Sequence, residues 1–210
     1  MAFKGVKRDS LIYAIITIVI IIIIIFAVLS STNQLFSAYI EDGILGDAWS
    51  EDINERQGSS SILGLEKWAS FTYRNNNYTY PAYVTVTSIK TLFMMNENEL
   101  LSKTVETINK ASGDGIVIDE NSKYTGNRAL RNGHNTYYIT YDGNDTSKNP
   151  PENIKIIGET WSCGVSGTSL ICIGFAQITD NAHTNSIVDL TYWSKIIRDD
   201  DGLLFNVKCH

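Results

Sequence analysis

The side chains with the widest chemistry in this 210-residue sequence are three cysteines and three histidines: Cys163, Cys172, Cys209, His134, His183 and His210. Thiolate and imidazole together suit zinc or copper, provided four of them can converge. Only Cys209 and His210 are neighbours in sequence, and adjacent residues make a poor tetrahedral chelate by themselves. A metal centre would have to be assembled in space by the fold from His134, His183, Cys209 and His210. No local metal or cofactor motif is present, so no cofactor is expected.

A disulfide is the competing use of the thiols. In CGVSGTSLIC a two-residue turn at Gly167-Thr168, with glycine supplying the positive φ of a type II′ turn, sets Cys163 opposite Cys172. A cross-strand Cys163–Cys172 bridge is the expected pairing, and Cys209 is left over.

Acid–base chemistry has fewer footholds. Glu159, in an apolar strand, and Asp180, just past its partner strand, are the acids to inspect as a glycosidase-type pair. Gly164-Val165-Ser166-Gly167-Thr168 places Thr168 where a nucleophile elbow has its second glycine, and its flanks read as two strands. A surface hydrolase would need His134, His183 and Glu159 or Asp180 in one cleft. The segment NRALRNGHN concentrates Arg128, Arg131 and His134 in an otherwise acidic region, which marks them as candidate ligand or partner contacts.

These side chains need a scaffold, and the sequence after residue 64 supplies one. Alternating aromatic and β-branched residues over 68–74 and 80–90, with an Asn-rich turn between them, predict a hairpin. Asn96 caps a predicted helix over 97–111, with Glu97 and Glu99 in its first turn. Strands are expected at 115–119, 135–141, 154–162 and 168–179, then a helix at 185–198 and a last strand at 203–208. The order predicts an α+β fold: an antiparallel sheet with two helices packed on one face.

Residues 11–29 run for 19 positions without a charge, long enough as a helix to cross the hydrocarbon of a bilayer. Lys4, Lys7 and Arg8 precede this run, while Glu41, Asp42 and Asp47 come after it with no base nearby. The positive-inside rule puts residues 1–10 in the cytoplasm, a transmembrane helix at 11–30 and the rest outside. Residues 31–64 read as a helix extension to about Ile40 and then a flexible acidic linker. Residues 65–210 then form the extracytoplasmic α+β domain. Setting aside Lys4, Lys7, Arg8 and Asp9 leaves 14 basic and 22 acidic residues, a formal charge of −8 that repels nucleic acid.

The expected protein is a single-pass, membrane-anchored, non-enzymatic binding or envelope-associated module. Its partners are the lipid bilayer through the N-terminal helix and an envelope protein or glycan. One alternative comes from Arg8-Asp9-Ser10 ahead of the apolar run, which resembles the cleavage region of archaeal class III, pilin-type precursors. That resemblance implies a filament subunit, cleaved near Ser10, with one assembly helix from Leu11 to Ile40. The other alternative is a surface hydrolase or metal-binding protein.

Overall fold

The structure, a computed structural model, describes residues 20, 35–61, 66–76, 81–111, 115–178 and 192–210. The chain divides into Met1–Gln34 and Leu35–His210. The expected cytoplasmic tail and transmembrane helix fall in the first unit, where Ile20 alone is described. Among the described residues no helix is long and apolar enough to cross a membrane.

The second unit is built on one antiparallel sheet of eight strands: β1 (Trp49–Glu51), β2 (Gln57–Ser60), β3 (Glu66–Asn75), β4 (Ala82–Thr91), β5 (Ile116–Ala129), β6 (Asn135–Asp145), β7 (Glu152–Cys163) and β8 (Thr168–Ile178). Their order is β1-β3-β4-β8-β7-β6-β5, with β2 also on β3. The β3–β4 hairpin forms as the alternation predicts, with Tyr73 opposite Val84 and Phe71 opposite Val86. Hydroxyls line up across it, Ser70 with Thr87 at 3.0 Å and Thr72 with Thr85 at 3.2 Å. Strands β7 and β8 lie inside the sheet and are buried along most of their length on both faces. That is why their sequences read as apolar runs rather than strict alternation.

The helix Glu97–Ala111 covers one face. Its capping box is closed on both sides: the Glu99 amide donates to Asn96 Oδ1 at 3.1 Å, and the Asn96 amide donates to Glu99 Oε2 at 2.9 Å. The helix lies close because Gly158 leaves room; a Cβ there would sit 2.3 Å from Thr104 Cγ2. Gly158 pairs with Ile173, so the neighbouring Gly174 faces the other way, where a Cβ would meet Ile197 Cγ2 at 2.8 Å. Of the expected second helix, residues 185–191 lie outside the described residues; the helical turn Ser194–Arg198 at its end packs on the face opposite the helix, not on the same face as expected.

Two cores result. One joins Leu100, Ile108, Ile139, Ile156 and Ile173 under the helix. The other buries Val84, Val86, Ile157, Trp161 and Cys172 beneath Ala38, Ile40, Ile197, Leu204 and Val207. In place of the expected last strand at 203–208, the 3-10 turn Leu204–Asn206 precedes a single antiparallel bridge between Tyr39 and Lys208.

Residues 35–61 also differ from the expected helix extension and linker. Residues 35–41 are not helical, and Tyr39 exchanges hydrogen bonds with Lys208 at 2.9 and 2.8 Å. An assembly helix continuing to Ile40, as the pilin-type reading required, does not form over these residues. From Asp47 on, the supposed linker belongs to the sheet through β1 and β2. Strand β2 is exposed at every position, so it carries no apolar period to reveal it. Nearby, Arg74 pairs with Asp52 at 3.1 Å and Arg56 pairs with Glu51.

Candidate metal centre

The site forms at the end of the sheet where β5 turns into β6 and β7 turns into β8. Residues 130–134 make a tight turn: Leu130 N–H donates to the His134 carbonyl at 2.9 Å, and Gly133 N–H to the Leu130 carbonyl at 2.9 Å. Gly133 takes a φ of 82°, which glycine adopts freely. Asn132 Oδ1 accepts the His134 amide at 3.0 Å. His134 is thereby placed by its own backbone.

The β7–β8 turn spans residues 164–167, four residues in place of the expected two. Cys163 then lies opposite Thr168, and Cys172 opposite Glu159. Four positions of strand, about 13 Å, separate the two thiols along the hairpin. The expected Cys163–Cys172 bridge is therefore not formed, and all three cysteines are free thiols. Cys163 instead meets the last two residues of the sequence.

Those residues are held against the sheet from both sides. Lys208 bridges to Tyr39, while Asn132 Nδ2 donates to the Val207 carbonyl at 2.9 Å and the Arg131 amide to the Phe205 carbonyl at 3.2 Å. As a result Cys163, Cys209, His134 and His210 bring one ligand atom each within 4.8 Å of all the others. His210 Nδ1 is 3.3 Å from Cys163 Sγ and 3.6 Å from Cys209 Sγ. The two imidazoles stand edge to face, their centroids 5.6 Å apart. Both thiols are buried, and His134 Nε2 is buried with no hydrogen-bond partner.

The two sulfurs share their chemistry. Burial pushes the Cys163 thiol up, but hydrogen bonds from Cys209, Ser166 and His210 outweigh it and bring its pKa down to about 6. Burial and the neighbouring Cys163 push Cys209 up to about 12. The opposite directions of the two shifts mean that Cys163 gives up its proton before Cys209 does. Cys172, fully buried and facing Glu159, is held well above the ordinary thiol range.

Of the candidates named from the sequence, Cys209, His210 and His134 converge, while His183 and Asp180 lie outside the described residues. Cys163 is the ligand missed, because its spacing to Cys172 pointed to a disulfide, while Cys209 and His210 stand 46 and 47 positions away along the chain. Of the candidate ligand or partner contacts, Arg128 is engaged within the domain, while Arg131 is exposed and reaches the Asp200 carbonyl at 3.5 Å. Arg128 grips Glu159 in a fork, Nε to Oε1 at 2.8 Å and Nη2 to Oε2 at 2.5 Å, and also donates to the Arg198 carbonyl. Arg128 and Arg131 both lie over the Phe205 ring, at 5.9 and 5.7 Å. Glu159, fully buried and paired in this way, is unavailable as a glycosidase acid.

Comparison with family models, with curated proteins and with solved structures finds no match to this chain.

Proposed function

We propose that Leu35–His210 is the extracytoplasmic domain of a membrane-anchored binding or envelope-associated protein, and that a zinc ion held by His134, Cys163, Cys209 and His210 pins residues 203–210 to the sheet. The observation that carries the metal reading is the convergence of two cysteine sulfurs and two imidazole nitrogens within 4.8 Å. Tetrahedral zinc, with bonds of about 2.3 Å to sulfur and 2.0–2.1 Å to nitrogen, sets S···N pairs about 3.6 Å apart. The Cys163–His210 and Cys209–His210 separations of 3.3 and 3.6 Å already match it. All four positions are filled by protein, the pattern of a structural site rather than one that activates water.

A Cys163–Cys209 disulfide is the rival use of the same pair. It would leave the buried His134 Nε2 unpartnered, whereas a metal bound through that nitrogen would satisfy it. The membrane anchor is supported by the uncharged run at 11–29 and the charge asymmetry across it.

The test is the metal content of the full chain, extracted from membranes in detergent without chelator. About one zinc per chain is expected, falling to background in Cys163→Ser and in Cys209→Ser. Chelation should lower Tm by about 5–11 °C if zinc stands at a hundred times its Kd, which is worth about 2.7 kcal/mol. A metal-free protein lighter by two hydrogens, with Cys163 and Cys209 joined, overturns the zinc reading.

A further inference from the structure

We infer that Leu92, Phe93 and Met94, which link β4 to the helix, dip into the extracytoplasmic face of the bilayer that anchors the chain; the inference rests on the membrane-anchor reading. Leu92 is 52% exposed, Phe93 85% and Met94 49%. Single exposed apolar residues are ordinary on a protein surface, and Ile53, Val117 and Tyr124 are of that kind. Three large apolar side chains in succession at the tip of one loop are not.

The loop is a fixed projection. Thr91 Oγ1 donates to the Phe93 carbonyl, the Met95 amide donates to Ser169 Oγ at 3.2 Å, and Ser162 Oγ donates to the Met95 carbonyl at 3.1 Å. Met95 turns into the core beneath the helix while the preceding three side chains point to solvent. Beside it is the β7–β8 turn, tied to β4 by Lys90 Nζ donating to the Ser166 carbonyl at 3.0 Å, with Val165 74% exposed at its tip. This end of the sheet is therefore apolar at two adjacent tips.

Covalent connection supplies the occupant. The Ala38 amide donates to Ser88 Oγ at 2.7 Å, and the Ile40 amide to the hydroxyl of Tyr73, which pairs with Val84. The chain thus runs along β4 away from the loop, and Leu35 lies toward the loop end. From Leu29, the last residue of the uncharged run, to Leu35 is six residues, at most about 21 Å when fully extended. A tether of this length leaves the loop end within reach of the lipid surface, where apolar side chains insert to about 5–10 Å.

The test labels Phe93→Cys, and separately Met94→Cys, with an environment-sensitive fluorophore in the full chain reconstituted into phosphatidylcholine vesicles. Lys148→Cys, in the exposed β6–β7 connection at the opposite end of the sheet, is the control, and the parent chain with its buried thiols gives the background. With doxyl-labelled lipid, quenching at 93 and 94 is expected to exceed that at 148 at least threefold. If the chain withstands an alkaline wash of the vesicles but 93 and 94 quench no more than 148, the loop inference is overturned and the anchor stands. Self-crosslinking through 93 without lipid quenching overturns it in favour of a second copy of this chain. Loss of the chain in the alkaline wash removes the anchor and the inference together.

Discussion

Replacing Arg128 with methionine isolates one of the interactions that tie residues 198–210 to the sheet. The substitution keeps most of the side-chain stem but removes the guanidinium, leaving the fully buried Glu159 carboxylate, among the described residues, with the Thr136 hydroxyl at 2.5 Å as its remaining side-chain partner. Breaking one side of a buried ion pair costs about 3–5 kcal/mol, a large share of the 5–15 kcal/mol typical of a whole domain. For a domain of this size that is a fall in Tm of about 6–20 °C. Arg128→Met/Glu159→Met removes both charges and with them the orphaned carboxylate. It still forfeits the bond to the Arg198 carbonyl, about 0.5–1.5 kcal/mol, and the stack on Phe205, about 0.5–1 kcal/mol. The double variant should therefore lose only about 1–2.5 kcal/mol and be more stable than the single. Urea unfolding of the full chain in detergent, followed by fluorescence of its four tryptophans, measures both. A single variant within 1 kcal/mol of the parent, or a double no better than the single, refutes this account of the pair.

Packing and titration give two further expected outcomes. Gly158→Ala drives a methyl to 2.3 Å from Thr104 Cγ2 and should cost about 1–3 kcal/mol in the same urea assay; adding Thr104→Ser removes that methyl and should recover part of the loss. Burial raises the Tyr73 hydroxyl from 10.0 to about 12, and it accepts the Ile40 amide at 3.1 Å. Because the folded state holds this proton more tightly, its contribution is whole below pH 10 and is lost as pH rises from 10 to about 12. Tyr73→Phe should be less stable at neutral pH and lose less between pH 10 and 12; parallel pH profiles for the two proteins would contradict it.

How much of the fold is legible in the sequence depends on how local the physics is. The helix 97–111 is legible because Asn96 and Glu99 satisfy one another's amides three residues apart. Strands β3 and β4 declare themselves by alternation. Strand β2 does not, since Gln57, Gly58, Ser59 and Ser60 all face solvent and only their pairing with β3 orders them. In the β7–β8 hairpin either a two-residue or a four-residue turn suits the glycines around Ser166. The register that pairs Cys163 with Thr168 puts the buried side chains of both strands into the two cores. That choice decided whether Cys163 met Cys172 or Cys209.

By itself the sequence determined the uncharged run at 11–29, its charge asymmetry, the acidity of the chain beyond residue 30, and an antiparallel, strand-rich domain with a capped helix. These are properties of composition and of neighbours within a few positions, so no long-range information is needed to read them. Only the tertiary structure decided which face each helical segment covers, that Arg128 and Glu159 neutralise each other inside, and that four ligand atoms gather at one end of the sheet. Cys163, His134 and the Cys209-His210 pair come from three separate stretches of chain. Bringing them within 4.8 Å requires the strand order, the length of one turn and the docking of residues 203–210 together. Each of these is set by burial of apolar surface across the whole sheet.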